Sequence, residues 1–198
     1  MPCWIALFTS ITSITSTTTE PGGPVMDDAA AQRAVGSIAL GFTPRVTLVD
    51  EAVLMDVTGS LRLFGGLARL MALLSQQVTR FFESNRLLAQ VKRVQGATSL
   101  IALGRLRAIN PATEKFVSRV ADLPMHTLSA ARPHLSVLAR IGCRTWDDLL
   151  RLPRDGVARR FGAALLEALD RARGSLPDNY DWLTLPEQFD EKIELTRW

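Results

Sequence analysis

The sequence is short of the groups that bind metals or staple small folds. Its two cysteines, Cys3 and Cys143, lie far apart, which excludes a disulfide framework and a cysteine zinc site. Only two histidines are present, His126 and His134, so no histidine-based metal centre is expected. Lysine is scarce too, three residues against twenty arginines. There is no glycine-rich phosphate loop. There is also no long apolar run. The opening Trp4-Ile5-Ala6-Leu7-Phe8 has no basic residue before it and gives way to Ser and Thr. That stretch is too short for a bilayer and a poor signal peptide, so a cytoplasmic protein without membrane partners is expected.

What is present describes a folded chain. Hydrophobic residues at 47% and charged residues at 22% argue against global disorder. The length of 198 residues allows one large domain or two small ones, each with a core. Net charge is only +3, but it is unevenly spread. Through Ser60 the net is −4, from Arg86 to Arg119 it is +6, and from Arg132 to Arg173 nine arginines face five acids. The arginine preference suits bidentate phosphate contacts. Solvated helix faces explain the same charge equally well.

Patterning suggests a strand over 3–8, then a low-complexity loop over 9–26 (Thr9 to Pro24 and its flank) rich in Ser and Thr and ending in Pro-Gly-Gly-Pro. Asp27 and Asp28 can cap a helix running to Leu40, before Gly41. The β-rich runs 45–49 and 53–57, turning at Asp50-Glu51, read as a hairpin. Gly65-Gly66 opens a helix with an apolar stripe at Leu67, Leu70, Met71, Leu74 and Val78. A last strand is expected over 87–91. This is the α+β order β-α-β-β-α-β, a ferredoxin-like split βαβ, over residues 1–95. A small all-α unit of helix-hairpin-helix type is expected over 96–175, with helices at 98–107, 112–120, 129–141, 145–151 and 161–173. Trp146 and Phe161 read as core, and His134 as a helix-surface residue. The tail 176–198 is polar and acidic, with no helical period.

Two stretches carry a family resemblance. One is Val49-Asp50-Glu51-Ala52-Val53-Leu54-Met55-Asp56-Val57-Thr58-Gly59-Ser60, continued by Leu61-Arg62-Leu63-Phe64-Gly65-Gly66. The other runs from Leu135 through Ile141-Gly142-Cys143-Arg144-Thr145-Trp146 to Leu152-Pro153-Arg154 and Val157-Ala158-Arg159-Arg160-Phe161-Gly162. The first resembles the palm hairpin of the Y-family (UmuC/DinB-like) translesion DNA polymerases, and its RLFGG run is similar to the ImuB-type accessory members. The second resembles the family's thumb, which tracks the duplex backbone.

The resemblance implies a palm-like domain over 1–95, a thumb-like domain over 96–175 and, over 176–198, the start of a truncated little-finger linker. It also implies a function in DNA repair and error-prone, SOS-type translesion synthesis. Polymerases of this kind need carboxylates converging on two Mg²⁺ ions. Here the first strand carries no acid. Counting back from Asp56-Val57-Thr58 puts Glu51 in the Asp position and Ala52 in the Glu position, a one-residue slip that changes which side chain faces the site. The fingers, the steric-gate aromatics and the triphosphate-binding pair are replaced or absent. A non-catalytic pseudo-polymerase is therefore expected, with Asp50 and Glu51 vestigial, no metal and no cofactor.

DNA contact is expected at Arg140, Gly142, Arg144, Thr145, Arg159 and Arg160. A glycine turn admits a phosphate, and a helix N-terminus favours an anion. The resemblance further implies an error-prone replicative-type polymerase and a RecA-like accessory protein as partners. The family's clamp-binding segment lies past Trp198, which puts clamp binding in doubt. Two alternatives stay open: a weak Y-family polymerase using Asp50 and Glu51 with Mg²⁺, or a degenerate fragment without function.

Overall fold

In a computed structural model of the chain, the structure describes residues 2–14, 26–109 and 117–185. Strands β1 (Trp4–Ile14), β2 (Val46–Val49), β3 (Ala52–Asp56) and β4 (Leu87–Gly96) form one sheet in the order β2-β3-β1-β4. Each neighbouring pair is antiparallel. Helices α1 (Asp28–Leu40) and α2 (Leu67–Ser84) fill the two crossovers. This is the α+β order expected from the sequence. Asp27 is the N-cap of α1, its carboxylate accepting from Ala30 N at 2.6 Å.

Alternation along the strands sorts their side chains onto two covered faces. Ile5, Leu7, Val46, Val53 and Met55 meet α1 and the Leu70-Leu74-Val78-Phe82 stripe of α2. Trp4, Ala6, Ala52 and Leu54 point the other way, onto Ala102, Leu103 and Leu106 of α3 (Ser99–Arg107). With both faces buried, β1 and β3 read as continuous apolar runs rather than as alternating ones. Each fully buried Leu or Ile contributes about 1.5–3 kcal/mol, so this double burial dominates the sheet's stability.

The structure corrects several boundaries. β1 continues through Ile14, into the stretch expected to be a loop, and pairs with a β4 that reaches Gly96. The reason is that Thr9, Ile11, Thr12 and Ile14 are β-branched, so the stretch is strand-forming as well as repetitive, and a partner strand stabilises it. The pairing shifts register between Ile11 and Ser13. Residues 15–25 of the expected loop lie outside the described residues.

The helical half is more broken than its periodicity suggests. Most of the 112–120 expectation lies outside the described residues, and a 3-10 turn at Val120–Asp122 overlaps its end. Another 3-10 turn follows at Met125–Thr127. The expected helix 129–141 is a 3-10 segment, Ser129–His134, leading into α4 (Leu135–Arg140). Pro133 lies inside it, where its missing N–H and its ring disfavour α-helix. After α5 (Trp146–Leu150) comes α6 (Arg154–Phe161), which lies outside the expected helices but for Phe161, and then α7 (Ala163–Ala172), which falls within the expected 161–173. The core here surrounds Trp146, only 2% exposed, whose Nε1 donates to Thr127 Oγ1 at 3.1 Å. Phe161 is buried in the same core. Gly104 makes room for that indole: a Cβ there would lie 2.9 Å from Trp146 Cζ2.

The segment 176–185 has no helix, as its composition implies, but it is firmly docked. Leu183 N donates to Val46 O at 2.7 Å and Thr47 Oγ1 to Asp181 O at 3.0 Å, which covers the β2 edge. Trp182 stacks on Trp4 with ring centres 6.3 Å apart. Asp178 accepts from Ser99 Oγ at 2.6 Å and Ser99 N at 3.2 Å, placing a carboxylate at the N-terminus of α3.

Candidate functional site

The β2–β3 corner carries the two acids that the resemblance singled out. Asp50 has φ 49°, a left-handed conformation that breaks the alternation of the hairpin. Both Asp50 and Glu51 therefore reach one side chain, Arg107 at the end of α3. Arg107 Nη2 donates to Asp50 Oδ2 at 2.5 Å, Nε to Glu51 Oε1 at 2.6 Å, and Nη2 also to Glu51 Oε2 at 3.1 Å. Its Nη1 donates to Thr127 O at 2.9 Å and Ser129 Oγ at 2.8 Å. Ser129 Oγ in turn donates to Asp50 Oδ2 at 3.0 Å, and Arg132 Nη1 lies 3.7 Å from the same oxygen.

One planar fork thus ties the palm-like corner to the helical half. The Arg107 side chain is only 6% exposed, whereas those of Asp50 and Glu51 are 42% and 37% exposed. Burial pushes both carboxyls up, but the hydrogen bonds and charge around them outweigh it and hold both below the ordinary carboxylate range. Burial works against the Arg107 charge, and its two acids overcome that and raise its pKa.

These residues do not fit a pair of divalent cations. Both carboxylates are engaged by a guanidinium, and the β1 residue paired with Ala52 is Phe8, over whose ring Lys92 Nζ lies at 6.0 Å. Among the described residues, no three His, Cys, Asp or Glu side chains are grouped to hold a metal.

The expected DNA-contact residues lie in the helical half, from the end of α4 to the end of α6. Gly142 has φ +85° and ends α4: its N–H donates to Ala139 O at 3.1 Å and that of Cys143 to Leu138 O at 2.9 Å. This is a Schellman closure, which by itself calls for glycine. Thr145 caps α5 in a reciprocal box with Asp148. Asp148 Oδ2 accepts from Arg144 N at 3.0 Å, Thr145 N at 2.9 Å and Thr145 Oγ1 at 2.9 Å. These hydrogen bonds hold the Asp148 carboxyl below its usual range.

The backbone donors of this turn are therefore bonded within the chain, and the charges left outward are side chains. Arg140, Arg144, Arg159 and Arg160 are all exposed. Arg159 Nε bonds Asp155 O at 3.2 Å, and Arg160 lies over the Phe161 ring at 5.9 Å. Phe161 also meets His134, ring to ring at 5.3 Å, which brings the end of α6 beside the start of α4.

Arg107, Ser129 and Arg132 were not anticipated from sequence, and nothing local marks them. Arg107 lies 57 and 56 residues from the acids it binds. Asp148 was legible, because Thr-x-x-Asp is the spacing of a capping box. The bidentate pair of Arg154 with Asp170, at 2.9 and 2.7 Å, was also missed.

A four-stranded antiparallel sheet followed by short helices puts the chain in the α+β class and is compatible with a palm-like domain succeeded by helices. The chain is 31% identical over 150 residues to protein ImuB from each of two Caulobacter vibrioides strains, a match covering 75% of this chain. Over that region it is an ImuB-type homologue, in agreement with the Y-family-like resemblance of its motifs. The match covers 32% of each relative, so the chain spans about a third of the curated proteins it matches. No family model and no solved structure gives a significant match. No helix among the described residues is long and apolar enough to cross a membrane.

Proposed function

We propose that the chain is a non-catalytic, DNA-contacting protein of damage tolerance, acting as an accessory in error-prone translesion synthesis. The observation that carries the loss of catalysis is the Arg107 fork on Asp50 and Glu51. A guanidinium fixed on both acids fills the place of positive charge, and two-metal nucleotidyl transfer needs that place for ions. DNA contact rests on the exposed arginines of the α4–α6 region acting as backbone-tracking cations, with Gly142 and Thr145 shaping the turn that presents them. An error-prone replicative-type polymerase and a RecA-like accessory protein are the partners in this reading, and a cytoplasmic location goes with it.

Two measurements test it together. Primer extension with Mg²⁺ or Mn²⁺ gives no product above a blank, and extension abolished by Asp50→Asn would sink the non-catalytic reading. Arg144→Ala with Arg159→Ala weakens duplex binding at any sequence and makes the slope of log K against log salt shallower by roughly two units. Arg33→Ala with Arg45→Ala changes binding little, since Arg45 already pairs with Asp56 at 3.2 Å. Equal loss in both double variants means diffuse binding and removes the α4–α6 region from the assignment.

A further inference from the structure

The two edges of the sheet end differently. The β2 edge is covered by the strap at 176–185, an extended segment carrying Asp178 and Asp181. The β4 edge, ten residues long, has no strand beside it among the described residues. Cys3 O accepts from Val57 N on the β3 side, so by alternation Trp4, Ala6 and Phe8 direct their backbone groups at Gly96, Val94 and Lys92. The N–H and C=O groups of Val91, Arg93 and Gln95 therefore face outward, where Arg105 Nη1 donates to Gln95 O at 2.8 Å. Those of Val91 and Arg93 have no partner strand among the described residues. Lys92 and Arg93 stand in the middle of this strand, and no Asp or Glu occurs between Glu83 and Glu114. Beside the edge lies a pocket of about 380 Å³ lined by Met71, Arg93, Val94, Gln95, Arg105 and Ser118. Met71 and Val94 give it an apolar wall, and its only charges are two guanidiniums.

We propose that the β4 edge is a docking strip for an extended acidic segment of a partner protein, which adds a strand to the sheet. Its backbone meets the outward donors and acceptors of Val91 and Arg93, and one of its carboxylates enters the pocket that Arg93 and Arg105 line. The strap sets the precedent within the chain, an extended stretch with two acids laid along the opposite edge. A nucleic acid backbone fits less well, because phosphates only accept and leave the outward carbonyls unmatched. A second copy is disfavoured, since antiparallel self-pairing brings Lys92 and Arg93 against their own counterparts. The inference goes beyond the DNA-contacting reading and does not depend on it.

The test measures fluorescence anisotropy of a short labelled peptide alternating valine and glutamate, titrated with the full chain. The peptide binds, and the same peptide with lysine for glutamate binds at least about tenfold more weakly. Arg93→Pro removes an outward N–H while leaving the β1 ladder intact, and it lowers affinity about tenfold. Arg93→Gln keeps that N–H and lowers affinity about twofold to fivefold. Methylating the peptide's backbone nitrogens keeps its charge, removes its donors and weakens binding to the unaltered chain about tenfold, which serves should Arg93→Pro fold poorly. Arg93→Pro leaves duplex binding unchanged, and Arg144→Ala with Arg159→Ala leaves peptide binding unchanged, so the two readings fail separately. Wild-type affinity in Arg93→Pro, or undiminished binding of the methylated peptide, would overturn the edge pairing, as would no binding of the valine–glutamate peptide. An oligothymidylate that displaces the peptide and is itself weakened by Arg93→Pro would make the occupant a nucleic acid. Self-association abolished by Arg93→Pro would make it a second copy, and either result overturns the acidic partner.

Discussion

The Asp50-Glu51 corner and the Gly142 turn are the two places where the motifs of the resembled family call for an external ion or phosphate. In each, a group from the chain itself supplies the complementary charge. At the turn the partner is Asp148, three residues past the cap it completes, and the bonds form between neighbours in sequence. At the corner the partner is Arg107, brought from α3 by the packing of that helix on the second face of the sheet. Local closure costs little chain entropy and depends on a few residues. Long-range closure exists only in the folded state, so it links the corner, α3 and the Thr127–Ser129 segment in one network. The two sites should therefore respond differently to substitution.

The largest contrast is expected at Arg107. Arg107→Ala leaves two carboxylates and two polar groups of the helical half without their donor and lowers stability by about 2–4 kcal/mol. Both acids are more than a third exposed, and solvent screening keeps the loss towards the lower end of that range. Arg107→Lys restores charge but not the fork and recovers only part of the loss, read by urea denaturation. Equal stability of Arg107→Ala and wild type would show that the fork does not link the halves.

Acid sharpens the comparison next. Asp50 and Glu51 are held below their ordinary values of 3.8 and 4.5. The unfolded chain takes up protons first, so the corner's contribution is complete above about pH 4.5 and is lost as pH falls through the lower folded values. The gap in urea midpoint between wild type and Arg107→Ala should narrow on going from neutral pH to about pH 3, leaving the part carried by the bonds to Thr127 O and Ser129 Oγ. A gap of unchanged size in acid would break the assignment of that contribution to the ionised acids.

Effects at the turn are smaller. Gly142→Ala meets no atom within 4 Å but strains a residue at φ +85°, a cost of about 1–2 kcal/mol. Thr145→Ala removes the α5 cap and costs about 1 kcal/mol. Smallest of all, Arg144→Ala with Arg159→Ala should shift stability by under about 0.5 kcal/mol while weakening duplex binding. A large stability loss there would mean that these arginines hold the fold together.

The sequence by itself determined the βαββαβ order, the α1 cap at Asp27, the α2 stripe and the capped turn at Thr145. Each rests on residues within a few positions of one another, where periodicity and capping act. It also carried the ImuB-type resemblance through two motifs in order. It did not reveal that Thr9–Ile14 is strand, because that stretch depends on a partner more than seventy residues away. Nor did it reveal the strap at 176–185, whose Leu183 and Trp182 are anchored by β2 and Trp4 rather than by any period of their own. The fate of Asp50 and Glu51 was decided by tertiary structure. Their charge was visible in the chain, but their partner was not, since a guanidinium reaches them only once α3 has packed across the sheet.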